Sequence, residues 1–157
     1  MLIGRLVKQA NNAMNQEMNA FAQQYGLTGT QMSIIDFLTH FPGNSCDQHQ
    51  IENEFGIKRS TTTVLLQRMA KKNLIERYPS PEDRRQKIVT LTAEGQKLSS
   101  DVSAYITQYE EKLKADFSEQ DLSKIKRFLS TMIEEKQWVR ILKKFHQKLL
   151  QRLWQPG

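Results

Sequence analysis

Nine lysine and arginine side chains lie between Lys58 and Thr90, and their clustering is the strongest chemical signal in this chain. Only three acidic residues, Glu76, Glu82 and Asp83, share the segment. The segment therefore carries 9 − 3 = +6, which equals the net charge of the whole 157-residue chain. A concentrated cationic patch attracts polyanions, so we predict that the partner of this segment is a nucleic acid.

The first group of candidate contacts surrounds the start of a predicted helix. Its members are polar or cationic, and they are Lys58, Arg59, Ser60, Thr61, Thr63, Gln67 and Arg68. Hydroxyl groups and the threonine methyl can approach base edges, glutamine can read adenine, and arginine can read guanine or clamp a phosphate. Two simpler interpretations stay open: Ser60 caps the helix, and Gln67 and Arg68 belong to a solvated face.

Lys58 and Arg59 stand where a helix begins, an end whose dipole disfavours cations by a few tenths to about 1 kcal/mol. A sequence selected only for helix stability would place an acid there. A phosphate that approaches this end would reverse the sign of the penalty. We therefore expect both side chains to contact phosphate.

A second group of candidates lies in the loop of a predicted β-hairpin. These are Asp83, Arg84, Arg85 and Lys87. A narrow A·T-rich minor groove attracts a long cationic side chain, and the Asp83 carboxylate could orient one guanidinium through a paired hydrogen bond. The alternative is a flexible charged loop. The loop prolines Pro79 and Pro81 argue against that alternative, because they stiffen the backbone.

Helices and strands that can position these groups are readable from the sequence. Apolar steps of three and four residues predict a long first helix that ends at Gly26 and a second helix capped by Thr28. A third helix over Gln48–Phe55 and a fourth over Ser60–Lys72 are joined by a turn at Gly56, the pattern of a helix-turn-helix. We expect the fourth helix to bury Val64, Leu65 and Met69, with Leu66 on one flank.

Alternating residues over Leu74–Tyr78 and Lys87–Leu91 predict the two strands of the hairpin. Asn73 precedes them, and asparagine tolerates the left-handed backbone that a helix end requires. Further helices begin at Thr92 and at Ser118. The expected fold is mainly α with a small β-hairpin wing.

Composition narrows the possible functions. The single Cys46 excludes an intramolecular disulfide and fits a reducing cytoplasm. We interpret Cys46 as a bystander thiol rather than a redox sensor. Cys46 and His49 have a C-x-x-H spacing, but zinc would need more ligands, so we predict neither a metal site nor a cofactor. The sequence also lacks hydrolase, P-loop and dinucleotide motifs, so we predict no enzyme activity.

The chain resembles the MarR family of bacterial transcriptional regulators in a series of short motifs. In chain order they are Gly26-Leu27-Thr28, Ser60-Thr61-Thr62-Thr63, Lys71-Lys72-Asn73-Leu74-Ile75, Asp83-Arg84-Arg85 and Leu91-Thr92-Ala93-Glu94-Gly95. Three positions depart from the family pattern. Val64 replaces a frequent Arg or Asn, Lys58 replaces a frequent capping Asp, and Asn73 replaces Gly.

The resemblance implies a homodimer that binds a pseudo-palindromic double-stranded DNA operator. Recognition helices would enter successive major grooves, and the wings would reach flanking minor grooves. In that arrangement Arg85 inserts, Asp83 supports it, and Arg84 meets phosphate. The family's ligand pocket lies between the winged module and the dimer helices, where aromatic residues could line it for a small-molecule effector. The candidates are Phe21, Tyr25, Phe41 and Tyr105, although ordinary core packing explains them equally well.

The expected organisation is a winged helix-turn-helix over residues 28–92, flanked by helical dimerisation regions at 1–27 and 93–150, with a tail at 151–157. The terminal helices carry more apolar surface than the module can cover, which favours a homodimer. An intramolecular bundle is the alternative. The basic, amphipathic stretch near the C-terminus is interpreted as an extension of the dimer helix, although such a segment can also touch membrane or DNA. For the whole chain, the second hypothesis is a winged-helix module for protein–protein contact.

Overall fold

The computed structural model describes residues 2–134, which fall into two compact units that divide after Gln108. The elements are α1 Ile3–Gln23, α2 Gly29–Thr39, a 3-10 turn Pro42–Asn44, β1 Ser45–Asp47, α3 Gln48–Phe55, α4 Arg59–Lys71, β2 Ile75–Pro79, β3 Lys87–Leu91 and α5 Ala93–Lys114. Residues 119–134 are also helical. The fold is mainly α with a small wing, as predicted.

Local signals fix the helix ends where the sequence placed them. The Thr28 hydroxyl accepts the amide N–H of Gln31, and the Gln31 side chain accepts the amide N–H of Thr28, which completes a capping box. Gly56 and Asn73 follow α3 and α4 with φ of 60° and 56°. Because both residues tolerate the left-handed backbone, the chain can turn sharply into α4 and into the wing.

The sheet has three strands rather than the two of the predicted hairpin. Its order is β1-β3-β2, and both pairs are antiparallel, with Cys46 opposite Val89 and Tyr78 opposite Ile88. The strand β1 is only three residues long, too short to show an alternating pattern. It attaches the segment before α3 to the wing, so the helix-turn-helix and the wing share one sheet.

The core lies beneath α4 and the sheet. Fully buried side chains include Met32, Ile34, Ile35, Leu38, Ile51, Leu66, Met69 and Val89. The expected inward face of α4 was partly wrong: Leu66 is central to the core, whereas Val64 is 48% exposed. The inward positions are Thr62, Leu66 and Met69, which follow the helical period at i, i+4 and i+7.

Each of the two units leaves apolar side chains exposed. At the N-cap of α1 and within α1 they are Leu2, Ile3, Leu6 and Met14, and within residues 119–134 they are Ile125, Phe128, Leu129, Met132 and Ile133. The helix of residues 119–134 begins at the predicted place, where the Ser118 hydroxyl accepts the amide N–H of Asp121. The predicted continuation to residue 150 and the tail at 151–157 lie outside the described residues.

Gly95 sets the distance between the start of α5 and the β2 side of the wing. A Cβ atom at this position would overlap the carbonyl oxygen of Leu74. That carbonyl cannot easily move aside, because it accepts the amide N–H of Thr92 at 3.1 Å. No side chain other than hydrogen fits between the two segments.

We expect Gly95→Ala to lower the free energy of unfolding by about 1–3 kcal/mol, the usual cost of overpacking a tight contact. Urea unfolding followed by circular dichroism measures the change. The matched control is Gly4→Ala in α1, where no atom lies within 4 Å of the added methyl group. Alanine favours a helix there, so the control should show no loss. Equal stability of the Gly95→Ala protein and the wild type would contradict the close contact.

Candidate nucleic-acid interface

The outward face of α4 and its first turn present the first group of candidate contacts. Lys58, Arg59, Ser60, Thr61, Gln67 and Arg68 are all exposed. Lys58 is the N-cap residue, its side chain makes no capping bond, and no acid lies in the first turn. The interpretation of Ser60 as the cap is therefore wrong. Free amide N–H groups at a helix start, beside two cations, form a favourable environment for phosphate.

The three threonines of this turn have different roles. Thr62 is buried, and its hydroxyl donates to the Lys58 carbonyl at 3.1 Å. The Thr63 hydroxyl, which we expected to face DNA, accepts a hydrogen bond from the Gln48 side-chain amide at 3.2 Å. Thr61 alone among the three is exposed. Thr61 therefore keeps its hydroxyl and its methyl available to a ligand.

Gln48 is the buried centre of a hydrogen-bond network that joins three elements. Its Nε2 donates to Glu52 Oε1 at 2.9 Å within α3 and to Thr63 Oγ1 on α4. Its Oε1 accepts from Arg77 Nη2 on β2 at 2.7 Å. The side chain is only 6% exposed. One amide thus fixes α4 relative to the wing.

Arg77 was not singled out by the sequence analysis as a site residue. It is half-buried, and burial lowers the pKa of its guanidinium. The alternation of β2 contained the missed signal, because Arg77 lies two residues after the buried Ile75 and so on the same face of the strand. An arginine on an inward face needs a partner, and Gln48 supplies it.

The wing tip is an ordered turn. The backbone N–H of Ser80 donates to the Gln86 carbonyl at 3.0 Å, and that of Gln86 donates to the Asp83 carbonyl at 2.8 Å. The Asp83 carboxylate accepts the backbone N–H of Arg85 at 3.0 Å. The expected pairing of Asp83 with a guanidinium is therefore corrected: Asp83 holds the loop backbone, and the Arg84 and Arg85 side chains are exposed.

Arg59 supplies a second connection between α4 and the wing. Its Nη2 donates to the backbone carbonyl of Arg85 at 3.1 Å. The start of α4 and the wing tip are thus joined directly, 26 residues apart in sequence. Lys87, at the start of β3, is half-buried beside this contact in a depression that Arg59 and Gln86 also line.

The four aromatic residues proposed for a ligand pocket fall into two groups. Phe21 stacks on Tyr105 with ring centroids 4.0 Å apart, and Tyr25 lies 5.4 Å from Phe21. Phe41 instead packs against Phe37 at 4.9 Å. Tyr25 lines one open depression of about 380 Å³ and Phe41 another of about 410 Å³. The grouping of all four in a single pocket is therefore corrected.

Cys46 is buried in β1 as a free thiol. Burial, and to a smaller extent the charge of Asp47, raises the pKa of Cys46 to about 11. The thiol is therefore protonated near neutral pH and a poor nucleophile, which supports its interpretation as a bystander. Among residues 2–134, no cluster of three His, Cys, Asp or Glu side chains could hold a metal ion. Within the same residues, no helix is long and apolar enough to cross a membrane.

Comparison with known proteins gives a consistent result. The sequence profile of the MarR family matches residues 25–86. The crystal structure of the transcription regulator MarR from Oenococcus oeni PSU-1 is 39% identical, covers 85% of this chain and 99% of its own, and superimposes with a TM-score of 0.73. The homoprotocatechuate degradative operon repressor of Escherichia coli is 26% identical over 80% of this chain and 83% of its own length.

A third similarity concerns the fold alone. The S. aureus MepR–DNA complex superimposes with a TM-score of 0.77 at 24% identity, and the match covers 86% of this chain and 98% of that protein.

Proposed function

Because the chain belongs to the MarR family of DNA-binding transcriptional regulators, we propose that it acts in the cytoplasm as a homodimer that recognises a pseudo-palindromic operator and represses transcription by occluding it. Members of this family are transcription factors rather than enzymes. The single observation that carries the proposal is the placement of the +6 segment. Its candidate contacts lie on one face of α4 and at the tip of the wing, which a hydrogen bond from Arg59 joins to the start of α4.

The charge distribution supports contact with DNA on both sides of α4. Lys58 and Arg59 lie at the exposed start of the helix, where a phosphate can accept hydrogen bonds from the free backbone N–H groups. Arg84 and Arg85 extend from a turn that Asp83 stiffens. In our proposal α4 enters the major groove, Arg85 enters the adjacent minor groove, and Arg84 contacts phosphate.

A homodimer is supported by the exposed apolar residues of α1 and of residues 119–134. Isolated surface apolar residues are normal, but rows at helical spacing on two helices indicate an interface. A two-fold axis would present two copies of α4 to DNA. Half-sites would then lie about one helical turn, ~34 Å, apart.

A small-molecule effector is part of the proposal as well. The two depressions beside Tyr25 and Phe41 border the segments that lead into and out of the helix-turn-helix. A ligand there could change the spacing of the paired recognition helices, and a shift of a few ångströms would misalign them with the fixed half-sites. The name of the Escherichia coli relative, a repressor of a degradative operon, supports repression as the default output.

Selection of bound duplexes from a random DNA pool by the full chain tests the proposed function. We expect enrichment of an inverted repeat whose half-sites lie about one turn apart, with A·T-rich flanks where the wings insert. Enrichment of no sequence at moderate salt would contradict the proposal. It would favour the alternative of a winged-helix module for protein–protein contact.

Replacement of Arg85 tests the role of the wing tip on the selected operator. We expect Arg85→Ala to weaken binding by about 1–3 kcal/mol, with wild-type stability, because the side chain is exposed. The logarithm of the wild-type affinity should fall steeply and linearly with the logarithm of salt concentration, and the variant's slope should be smaller by up to about 1.

Fluorescence anisotropy across a salt series measures both quantities. The matched control is Lys97→Ala, which removes one exposed cation from α5 that pairs with the exposed Glu94. A surface pair of this kind contributes little, so the control should bind like the wild type. Equal losses in the two variants would show that charge alone, and not the wing position, determines affinity.

A further inference from the structure

Val64 lies at the middle of the outward face of α4. Counting about 100° per residue, it is roughly 140° to 160° away from each of the inward residues Thr62, Leu66 and Met69 around the helix axis. It is 48% exposed. The centre of the face that would meet base edges is therefore a hydrocarbon side chain without a polar atom.

Helix formation does not explain a valine at this position. A β-branched residue loses side-chain freedom in a helix. Its exposed methyl groups are not removed from water, so they contribute no hydrophobic stabilisation. Nor does the core explain it, because the packing face of α4 points the other way. A ligand that supplies an apolar contact would account for its exposure.

Two exposed cations adjoin Val64 on the C-terminal side of the same helix face. Arg68 and Lys71 follow Val64 at i+4 and i+7 and are both exposed, so they share its face. An apolar residue flanked by exposed cations fits DNA better than it fits a protein partner, since the buried core of a protein interface is depleted of charged residues. With Ser60, Thr61, Leu65 and Arg68, Val64 lines an open depression.

Among the groups displayed in the major groove, the only apolar one is the C5-methyl of thymine. Thr61 stands three residues before Val64 on the helix surface, and its methyl group can extend the same apolar contact. Thr63 is less suited, because it is half-buried and its hydroxyl is bonded to Gln48.

We propose that Val64, assisted by the methyl of Thr61, reads the C5-methyl group of one thymine in each operator half-site. This inference rests on the proposed function and adds to it a base preference and a residue that determines it. Gln67 and Arg68, at i+3 and i+4 from Val64, then flank the methyl contact and serve polar readout or phosphate binding.

Deoxyuridine substitution tests the inference, because it removes the methyl group and leaves the base-pairing edge intact. Each thymine of the selected operator is replaced in turn, symmetrically in both half-sites, and affinity is measured by fluorescence anisotropy at constant salt. We expect one position at which the wild type binds about fourfold more weakly per half-site, and about 15-fold more weakly for the pair, the effect of losing one buried methyl in each.

Val64→Ala completes the double-mutant cycle. Alanine is the better helix former, so this variant should fold. It should bind the thymine operator more weakly and lose most of its sensitivity to deoxyuridine at that one position. The control variant Gln67→Ala has an altered polar contact and an intact Val64, so it should bind more weakly yet keep the sensitivity.

Two outcomes would overturn the inference while sequence-specific binding persists. One is wild-type binding that no deoxyuridine substitution changes by more than twofold. The other is a Val64→Ala protein that retains the full sensitivity, which would assign the methyl contact to another residue. Failure to select any operator would instead overturn the proposed function itself.

Discussion

The architecture of the proposed DNA reader depends on one buried primary amide. A glutamine side chain has both donors and an acceptor, and Gln48 uses its Nε2 and Oε1 to reach α3, α4 and β2 together. Loss of this amide would leave the Arg77 guanidinium half-buried without its partner, and an unsatisfied buried polar group costs about 1–3 kcal/mol or more. The orientation of the recognition helix relative to the wing is thus built into the core of the module.

Hydrogen bonds within the module also position the charged side chains at its surface. Because Gln48 and Arg77 hold the base of the wing, and Arg59 and Asp83 hold its tip, the exposed arginines of the wing extend from an ordered turn. Such preorganisation reduces the ordering cost of binding. The net charge of the chain therefore lies on a surface of fixed geometry. Its centre, Val64, is free of charge and can contribute selectivity rather than general attraction to phosphate.

The sequence predicted best what local chemistry determines. Thr28, Gly56 and Asn73 act through their own backbone or their near neighbours, so their roles were readable without the fold. Long-range pairings were not readable in the same way. The three residues of β1 pair with β3 some 40 residues later, and no local pattern marks so short a strand. Likewise, the ring of Phe41 packs on Phe37, whereas Phe21 stacks on Tyr105, 84 residues later in the chain.

The errors at the candidate site have two physical causes, hydrogen-bond satisfaction and helix geometry. Asp83 was expected to serve a guanidinium, yet turn backbones contain free N–H groups that a nearby carboxylate satisfies first. Thr63 was expected to face DNA, yet a buried glutamine beneath it required an acceptor. Val64 was expected in the core because it is apolar, but the helical period places it outside. In each case, hydrogen-bond satisfaction or helix geometry outweighed the residue's usual preference.

The operator affinity of a Gln48→Ala protein, compared with that of a control with the exposed Gln24 changed to alanine, tests the central claim most directly. Both proteins must be folded at the temperature of the measurement, as judged by circular dichroism. If the Gln48 amide sets the geometry of the reader, Gln48→Ala binds at least about tenfold more weakly than wild type, although every side chain proposed to touch DNA is still present. Wild-type affinity in a folded Gln48→Ala protein would contradict the account.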